Sequence, residues 1–276
     1  LTMVPNDSGL DDWFAHNGIQ IERQIVMDPQ NSAFPAPVTR NIGGFQIQEM
    51  RMLDYPYFPD VRGSALNSSN LITSELPQLT MAWASPIIID NETNKNRVVT
   101  KLLQSSEKSW VSDSLDILPR ITGQGVSPFV PQGPQESHLL GVILEGRFES
   151  FFAGRNPPKA EVETPDEDST DSTTNAPLEL DNVVDHSPDI ARIILFSSNE
   201  FLNDQTLQML GSAEQTSYVN SVQMLANAID WSLEDQGLLS IRSRGHFNRT
   251  LPPLANSTQV LWLSLIHISE PTRHES

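Results

Sequence analysis

The sequence predicts an α/β fold in which a mostly parallel sheet is flanked by helices. Three neighbouring segments carry this prediction. Residues 191–201, ARIILFSSNEF, are typical of a buried strand; residues 217–235, SYVNSVQMLANAIDWSLED, predict an amphipathic helix; and residues 237–244, GLLSIRSR, predict a short strand. Strands that alternate with helices are typical of a parallel sheet.

The pattern of apolar residues in 217–235 also predicts which face of this helix is buried. Apolar residues recur three and four positions apart, at Val222, Leu225, Ala226, Ile229 and Leu233. This spacing places them on one side of a helix, so we expect that side to pack on the core.

The first elements of the chain are a short helix and a strand. Asp11 and Asp12 suit the first turn of a helix, residues 6–8 offer polar caps, and Asn17 and Gly18 are typical of its end. The alternating residues 19–27, IQIERQIVM, then predict a strand.

The middle of the chain alternates irregular and apolar segments. Residues 28–60 are rich in proline and aromatic residues, which predicts a long ordered loop or several short strands, because proline interrupts regular pairing. Apolar residues in 78–90, 97–106 and 138–148 predict strands.

The chain is strongly acidic, with a formal net charge of −18. Ten of its acidic residues and no Lys or Arg lie between Glu161 and Asp189. A segment of this composition buries too little apolar surface to fold, so residues 157–187 are predicted to be a disordered acidic insert. The negative charge argues against a nucleic-acid partner.

The expected domain organisation follows from these segments. Residues 1–156 are expected to form the first part of an α/β domain that is truncated at its N-terminus. Residues 157–187 form the insert, and residues 188–250 complete the domain as strand, helix and strand. Residues 251–262 are expected to be a spacer next to a membrane, and residues 263–276 to be foreign to the gene.

Motifs for phosphate, metal or thiol chemistry are missing from the sequence. The Gly43-Gly44 pair lacks the lysine of a phosphate-binding loop and indicates a turn. The absence of cysteine excludes disulfides, thiolate metal sites and a cysteine nucleophile. The histidines are scattered singly rather than at metal-ligand spacing, at positions 16, 138, 186 and 246, with 267 and 274 in the foreign tail. We therefore predict no cofactor and no metal.

Two groups of residues remain as candidate sites. Ser198 and Glu200 follow the strand in residues 191–201, where α/β folds place ligands, although Gly-x-Ser-x-Gly is absent and a capped turn also explains them. A set of aromatic side chains is able either to stack on a sugar or to anchor a loop on the core. This set consists of Phe45, Tyr55, Tyr57 and Phe58.

Several long segments together resemble one protein family. They include residues 27–62, the WASPI stretch at Trp83, LLGVILEGRFESFFAG, ARIILFSSNEF and NSVQMLANAIDWSLEDQGLLSIRSR. These segments resemble the extracytoplasmic region of GldG-type auxiliary components of ABC transporters, the gliding-motility-associated family.

This resemblance implies a bacterial α/β domain like that of class I glutamine amidotransferases, without the catalytic cysteine. It implies a domain in the periplasm that is anchored in the inner membrane by helices outside this fragment, with an ABC transporter permease and ATPase as partners. It supplies no catalytic, binding or metal-ligating residues.

The C-terminal tail resembles a translated sequencing adapter in residues 263–273, LSLIHISEPTR. The genuine chain is then expected to continue past Trp262 into a transmembrane helix, which the family resemblance also implies. Such foreign segments are excluded from fold prediction.

The sequence therefore favours a non-enzymatic accessory subunit of an ABC transport system that binds a protein partner or an envelope polymer. One alternative is a hydrolase or glycan-processing enzyme with its site near Ser198 and Glu200. Another alternative is a sugar-binding module built on the aromatic residues from Tyr55 to Phe58.

Overall fold

A computed structural model describes residues 8–42, 45–114, 116–119, 121–122, 125–126, 129–154, 184–214, 219–233 and 258. These ranges contain three α-helices and twelve strands. In chain order they are α1 Asp11–His16, β1 Ile19–Ile21, β2 Ile25–Met27, β3 Asn31–Ile42, β4 Phe45–Arg62, β5 Gln78–Thr80, β6 Ile87–Ile89, β7 Val98–Gln104, β8 Trp110–Ser112, β9 Ile121–Thr122, β10 Gly125–Val126, β11 Leu139–Glu145, β12 Arg192–Phe196, α2 Asp204–Glu214 and α3 Asn220–Leu233.

The prediction of a mostly parallel α/β sheet, like that of the glutamine amidotransferases, is wrong. The described strands form five small sheets: β1–β6, β2–β8, β9–β10, β3–β4–β5 and β12–β11–β7. Every pairing in them is antiparallel. The described part of the protein is mainly β, with few helices.

The strand β12 shows why the sequence led to a wrong prediction of parallel pairing. It pairs with the preceding β11, from Gly141 opposite Phe196 to Glu145 opposite Arg192. Its side chains alternate between two apolar clusters, Ile194 and Phe196 on one and Ile193 and Leu195 on the other. A continuous apolar run indicates that both faces of a strand are covered. It does not indicate whether the neighbouring strand runs parallel or antiparallel.

Several predicted elements are confirmed. The first helix is α1, which ends where Gly18 adopts a positive φ of 70° that a side chain would strain. The apolar segments 97–106, 138–148 and 191–201 contain β7, β11 and β12. Residues 19–27 form two strands instead of one, because β1 pairs with β6 whereas β2 pairs with β8.

The segment 28–60 is more regular than its prolines predicted. It forms β3 and most of β4, which pair from Ala33 opposite Asp54 to Ile42 opposite Phe45. Pro35 and Pro37 lie two residues apart on β3, which is the edge strand of its sheet. Prolines at this spacing direct both missing N–H donors to the same side, and an unpaired edge tolerates that loss.

The helix in residues 217–235 is confirmed as α3, but the prediction of its buried face is wrong. The helix packs through Ser221, Met224, Ala228 and Trp231. The five residues predicted to be buried are exposed instead. The guanidinium of Arg192 lies 4.4 Å from the centroid of the Trp231 ring and donates a hydrogen bond to the Trp231 carbonyl. These contacts fix the helix on its less obvious face.

A buried carboxylate lies where β4 meets β5. Asp60 is paired with Thr80 in the sheet and its side chain lies 3.4 Å from the Nε of Arg62, while its Oδ1 is buried without a hydrogen-bond partner. Burial raises the pKa of Asp60 to about 6, against the opposing effect of Arg62. The carboxyl group is therefore more stable in its neutral form than it is in water.

The raised pKa of Asp60 makes the free energy of unfolding depend on pH, and Asp60→Asn should remove this dependence. Folded Asp60 holds its proton up to a higher pH than unfolded Asp60, so its contribution to stability is fully present below about pH 4 and is lost as pH rises through 6. The asparagine carries no charge at any pH, so we expect the variant to gain up to about 3 kcal/mol over the wild type between pH 4 and pH 8. Urea unfolding across this range measures the difference.

Asp90→Asn is the matched control for Asp60→Asn. The Thr93 hydroxyl and nearby backbone amides lower the pKa of exposed Asp90, so its contribution has the opposite sign and is lost as pH falls. A pH-independent difference between Asp60→Asn and the wild type would contradict the assignment.

Parts of the predicted organisation lie outside the described residues. They are the acidic insert up to residue 183, the strand at 237–244, the spacer 251–262 apart from Thr258, and the tail 263–276. Among the helices that the structure does describe, none combines the length and apolarity needed to cross a membrane.

Candidate interaction surface

A two-stranded arm extends from the body of the protein. It is formed by Ala33–Ile42 of β3 and Phe45–Asp54 of β4, and residues 43 and 44 connect the two strands. At about 3.4 Å per residue, these ten pairs span roughly 30 Å. The inner part of the arm is covered, because α2 lies against β3 and the side chains of Ala36 and Val38 are buried.

The arm exposes large apolar side chains at its outer end and on one face nearer the body. Four of them lie on β4: Phe45 is 76% exposed, Met50 is 61% exposed, and Ile47 and Met52 are also exposed. We call these four residues the arm patch. Exposed apolar side chains that lie next to each other, as Phe45 does with Ile47 and Met50 with Met52, mark interaction surfaces more often than isolated ones do.

The arm patch occupies both faces of the arm, because side chains alternate along a strand. Phe45 and Ile47 share the face of β4 that carries buried Leu53 nearer the body, with Glu49 and Arg51 between them. Met50 and Met52 lie on the other face, opposite Pro37 and Pro35. Methionine adapts its shape to a partner surface, which suits it to binding.

The root of the arm is fixed by an aromatic cluster. Tyr55 is buried among Phe34, Tyr57, Phe58 and Trp83, with ring centroids 4.6–6.5 Å from its own. Its hydroxyl donates a 2.8 Å hydrogen bond to the carbonyl of Ile117 and accepts one from Trp83 Nε1 at 3.2 Å. Burial raises the pKa of Tyr55, so the phenol stays protonated and the donor is retained.

Hydrogen bonds near the body set the direction of the arm. The Tyr55 amide donates to Asn31 Oδ1 at 2.8 Å, and the side chain of Gln30 donates to the carbonyl of Asp60 at 2.6 Å. Asp28 accepts hydrogen bonds from the amide and hydroxyl of Ser106. An arm held in this way presents its outer end in a defined orientation.

The candidate hydrolase residues have structural partners. Ser198 is buried, and its hydroxyl donates to the carbonyl of Ala82 while accepting from the amides of Glu200 and Phe201, at 3.2 Å each. Glu200 is partly exposed on the same turn. This is a capped turn, the arrangement that the sequence allowed as the alternative to a nucleophile.

The aromatic set considered for sugar binding is divided by the fold. Tyr55, Tyr57 and Phe58 are buried in the core, whereas Phe45 lies at the outer end of the arm. Tyr57 also lines a cavity of about 250 Å³ together with Trp110 and Phe129. Its hydroxyl bonds with Ser112 and Ser114, and burial raises its pKa. Tyr57 and Trp110 present almost no ring surface for stacking.

The described histidines take part in local structure. His16 Nε2 contacts the Glu149 carbonyl at 3.0 Å, and His186 Nδ1 contacts the Ser187 carbonyl at 2.9 Å. Burial lowers the pKa of His138. No group of three or more His, Asp or Glu side chains suited to a metal ion occurs within the described ranges.

The sequence indicated a turn at Gly43-Gly44 and allowed several short strands in residues 28–60, but the arm itself was not predicted. A Gly-Gly pair between two extended segments is typical of a two-residue hairpin. The strand after it, residues 45–48, alternates Phe and Ile with Gln. The prolines on both sides of this stretch made a loop one of two alternatives, and the edge-strand position of Pro35 and Pro37 was visible only in the structure.

Comparison with known proteins matches most of the chain to a family. The family model described as an ABC-type uncharacterized transport system matches residues 2–228. No curated protein and no solved structure matches the chain. The matched range includes the whole arm, its aromatic root and most of α3.

Proposed function

Because the chain belongs to the ABC-type uncharacterized transport system family, as an auxiliary component, we propose that it is a non-enzymatic accessory subunit that binds a protein of that system through its arm. Membership of the family indicates association with an ABC transport system, and the arm offers a surface for contact with a protein of that system. The proposal includes a GldG-type membership within the family.

The observation that carries this proposal is the arm patch. Phe45 and Ile47 expose apolar surface at the outer end of a hairpin whose root is buried, and Met50 and Met52 expose apolar surface on the opposite face nearer the body. Apolar and aromatic anchors surrounded by polar residues are typical of the energetic centre of a protein interface. On the face of Phe45 and Ile47, half-buried Glu49 and exposed Arg51 supply such polar residues.

The partner that fits best is the permease subunit. We propose that the domain lies on the periplasmic side of a bacterial inner membrane, which the sequence resemblance implies. An arm of roughly 30 Å on that side reaches the extracytoplasmic loops of a permease. The ATPase on the opposite side of the membrane then associates through the permease.

Affinity capture of the full-length protein tests the proposed function. We expect a permease and an ATPase of the ABC type to be recovered together from solubilised membranes, and the ATPase to be lost when the permease is removed. Recovery of neither subunit in several detergents, with the captured protein folded, would sink the proposal.

A further inference from the structure

The cavity beside Tyr57 is lined by polar groups of one electrostatic character. It has a volume of about 250 Å³ and is partly open to solvent, and its polar lining consists of Ser112, Ser114, Asp116 and Gln132. No Lys, Arg or His side chain is among the described residues that line it. Because the lining holds a carboxylate and hydroxyl oxygens without a basic group, it favours a ligand that is positively charged and donates hydrogen bonds.

The remaining lining of this cavity is apolar. Leu118 and Val130 are 45% and 67% exposed, and Phe129 is partly exposed, whereas Met27 and Trp110 are buried. Sites for small molecules typically combine apolar surface with a few polar groups that fix the orientation of the ligand. The cavity lies just below the roughly 300–1,000 Å³ that drug-sized ligands occupy, so its ligand is small.

We infer that this cavity binds an ammonium or guanidinium group carried on a short apolar stem. The carboxylate of Asp116 and the hydroxyl oxygens accept hydrogen bonds from the cation, and the exposed part of the Phe129 ring attracts it as well. A free organic amine and a Lys or Arg side chain of another protein share this chemistry. The inference goes beyond the proposed function, because the cavity contains no residue of the arm patch and accepts its ligand independently of the arm.

The carboxylate is held at the cavity by its neighbours in the chain. Asp116 and Leu118 flank Ile117, whose side chain is buried and whose carbonyl accepts the 2.8 Å hydrogen bond from the Tyr55 hydroxyl. The amide of Asp116 donates to Ser114 Oγ at 3.2 Å. Since the backbone is fixed on both sides of Asp116, a ligand does not have to order this segment when it binds.

The aromatic cluster supports the rest of the lining. The Phe129 ring packs edge to face on Tyr55 and Tyr57, with centroid distances of 6.0 and 5.5 Å. The Tyr57 hydroxyl bonds with the side chains of Ser112 and Ser114. The apolar and the polar parts of the lining are therefore both preformed, which lowers the entropic cost of binding.

Calorimetric titration with benzylamine and with N-acetyl-lysine amide tests the inference, and benzyl alcohol is the uncharged probe. We expect at least one of the two cations to bind, about fivefold or more tightly than benzyl alcohol, and Asp116→Asn to weaken that binding about fivefold or more. Gln132→Glu adds a second carboxylate to the lining and should strengthen it several-fold. The tighter-binding cation shows whether a free amine or a lysine side chain is the better ligand.

Asp113→Asn is the matched control, because it removes the same charge from an exposed residue nearby that does not line the cavity. It should leave the affinity unchanged within about twofold, and all three variants should keep the melting temperature of the wild type, since the substituted residues are exposed. Equal weakening by Asp113→Asn and Asp116→Asn would assign the effect to the overall charge of the protein and overturn the inference. Failure of both cations to bind, or binding that Asp116→Asn and Gln132→Glu leave unchanged, would overturn it as well.

Discussion

Tyr55→Ala should lower the stability of the protein by about 3–5 kcal/mol, the range for removing a large aromatic side chain from a core. Tyr55 is 1% exposed and packs against other aromatic rings on several sides. The substitution also leaves the Ile117 carbonyl and Trp83 Nε1 without their hydrogen-bond partner. We expect the melting temperature to fall by roughly 6–20 °C.

Tyr55→Phe separates packing from hydrogen bonding at this position. It keeps the ring and removes only the hydroxyl, so the expected loss is about 1–3 kcal/mol. Denaturant unfolding of the wild type and both variants gives the two contributions. A Tyr55→Ala variant as stable as Tyr55→Phe would show that the aromatic cluster does not fix the root of the arm.

Replacing Phe45 and Ile47 together by serine should reduce the capture of the transport-system partner at least about tenfold, because aromatic and aliphatic anchors at the centre of an interface commonly contribute about 2 kcal/mol or more each. Both residues are exposed, so the melting temperature should change little. Capture from solubilised membranes, normalised to the amount of bait, measures the effect.

The matched control for this variant is Gln46→Ser with Gln48→Ser. These two residues are exposed on the same strand and alternate with Phe45 and Ile47. The control should retain most of the capture. Equal loss in the two variants would assign the effect to the strand as a whole and not to its apolar side chains.

The sequence predicted where strands and helices lie better than how they pair. Apolar runs identified β7, β11 and β12. Of these, β11 is buried on both faces, and such a strand carries apolar residues at successive positions. Pairing direction depends on the path of the connections, and residues 146–191 bring β12 back beside β11 in the opposite direction. Nothing in the local pattern encodes that path.

The face of α3 was mispredicted for a related reason. Two sets of residues in α3 have helical spacing. The exposed set is Val222, Leu225 and Ile229, and the buried set is Met224, Ala228 and Trp231. The choice between them depends on distant partners such as Arg192 and the carbonyl of Ile72, which accepts a hydrogen bond from Asn227. Periodicity reports that a face is apolar, and tertiary contacts decide which apolar face is covered.

The arm patch was beyond sequence reasoning because its residues look like core residues. Phe45, Tyr55, Tyr57 and Phe58 formed one aromatic set in the sequence, yet only Phe45 is exposed. The difference is position along β4: the inner half enters the aromatic cluster and the outer half carries the exposed side chains. Only the three-dimensional arrangement separates the two halves.

A photo-reactive phenylalanine analogue at position 45, in the full-length protein in native membranes, tests the central claim most directly. We expect irradiation to cross-link it to a permease subunit of an ABC transport system, identified by peptide mass. The same analogue at position 88, exposed on β6 in the body, should give little of this product. Equal permease cross-linking from both positions, or none from position 45, would contradict binding through the arm.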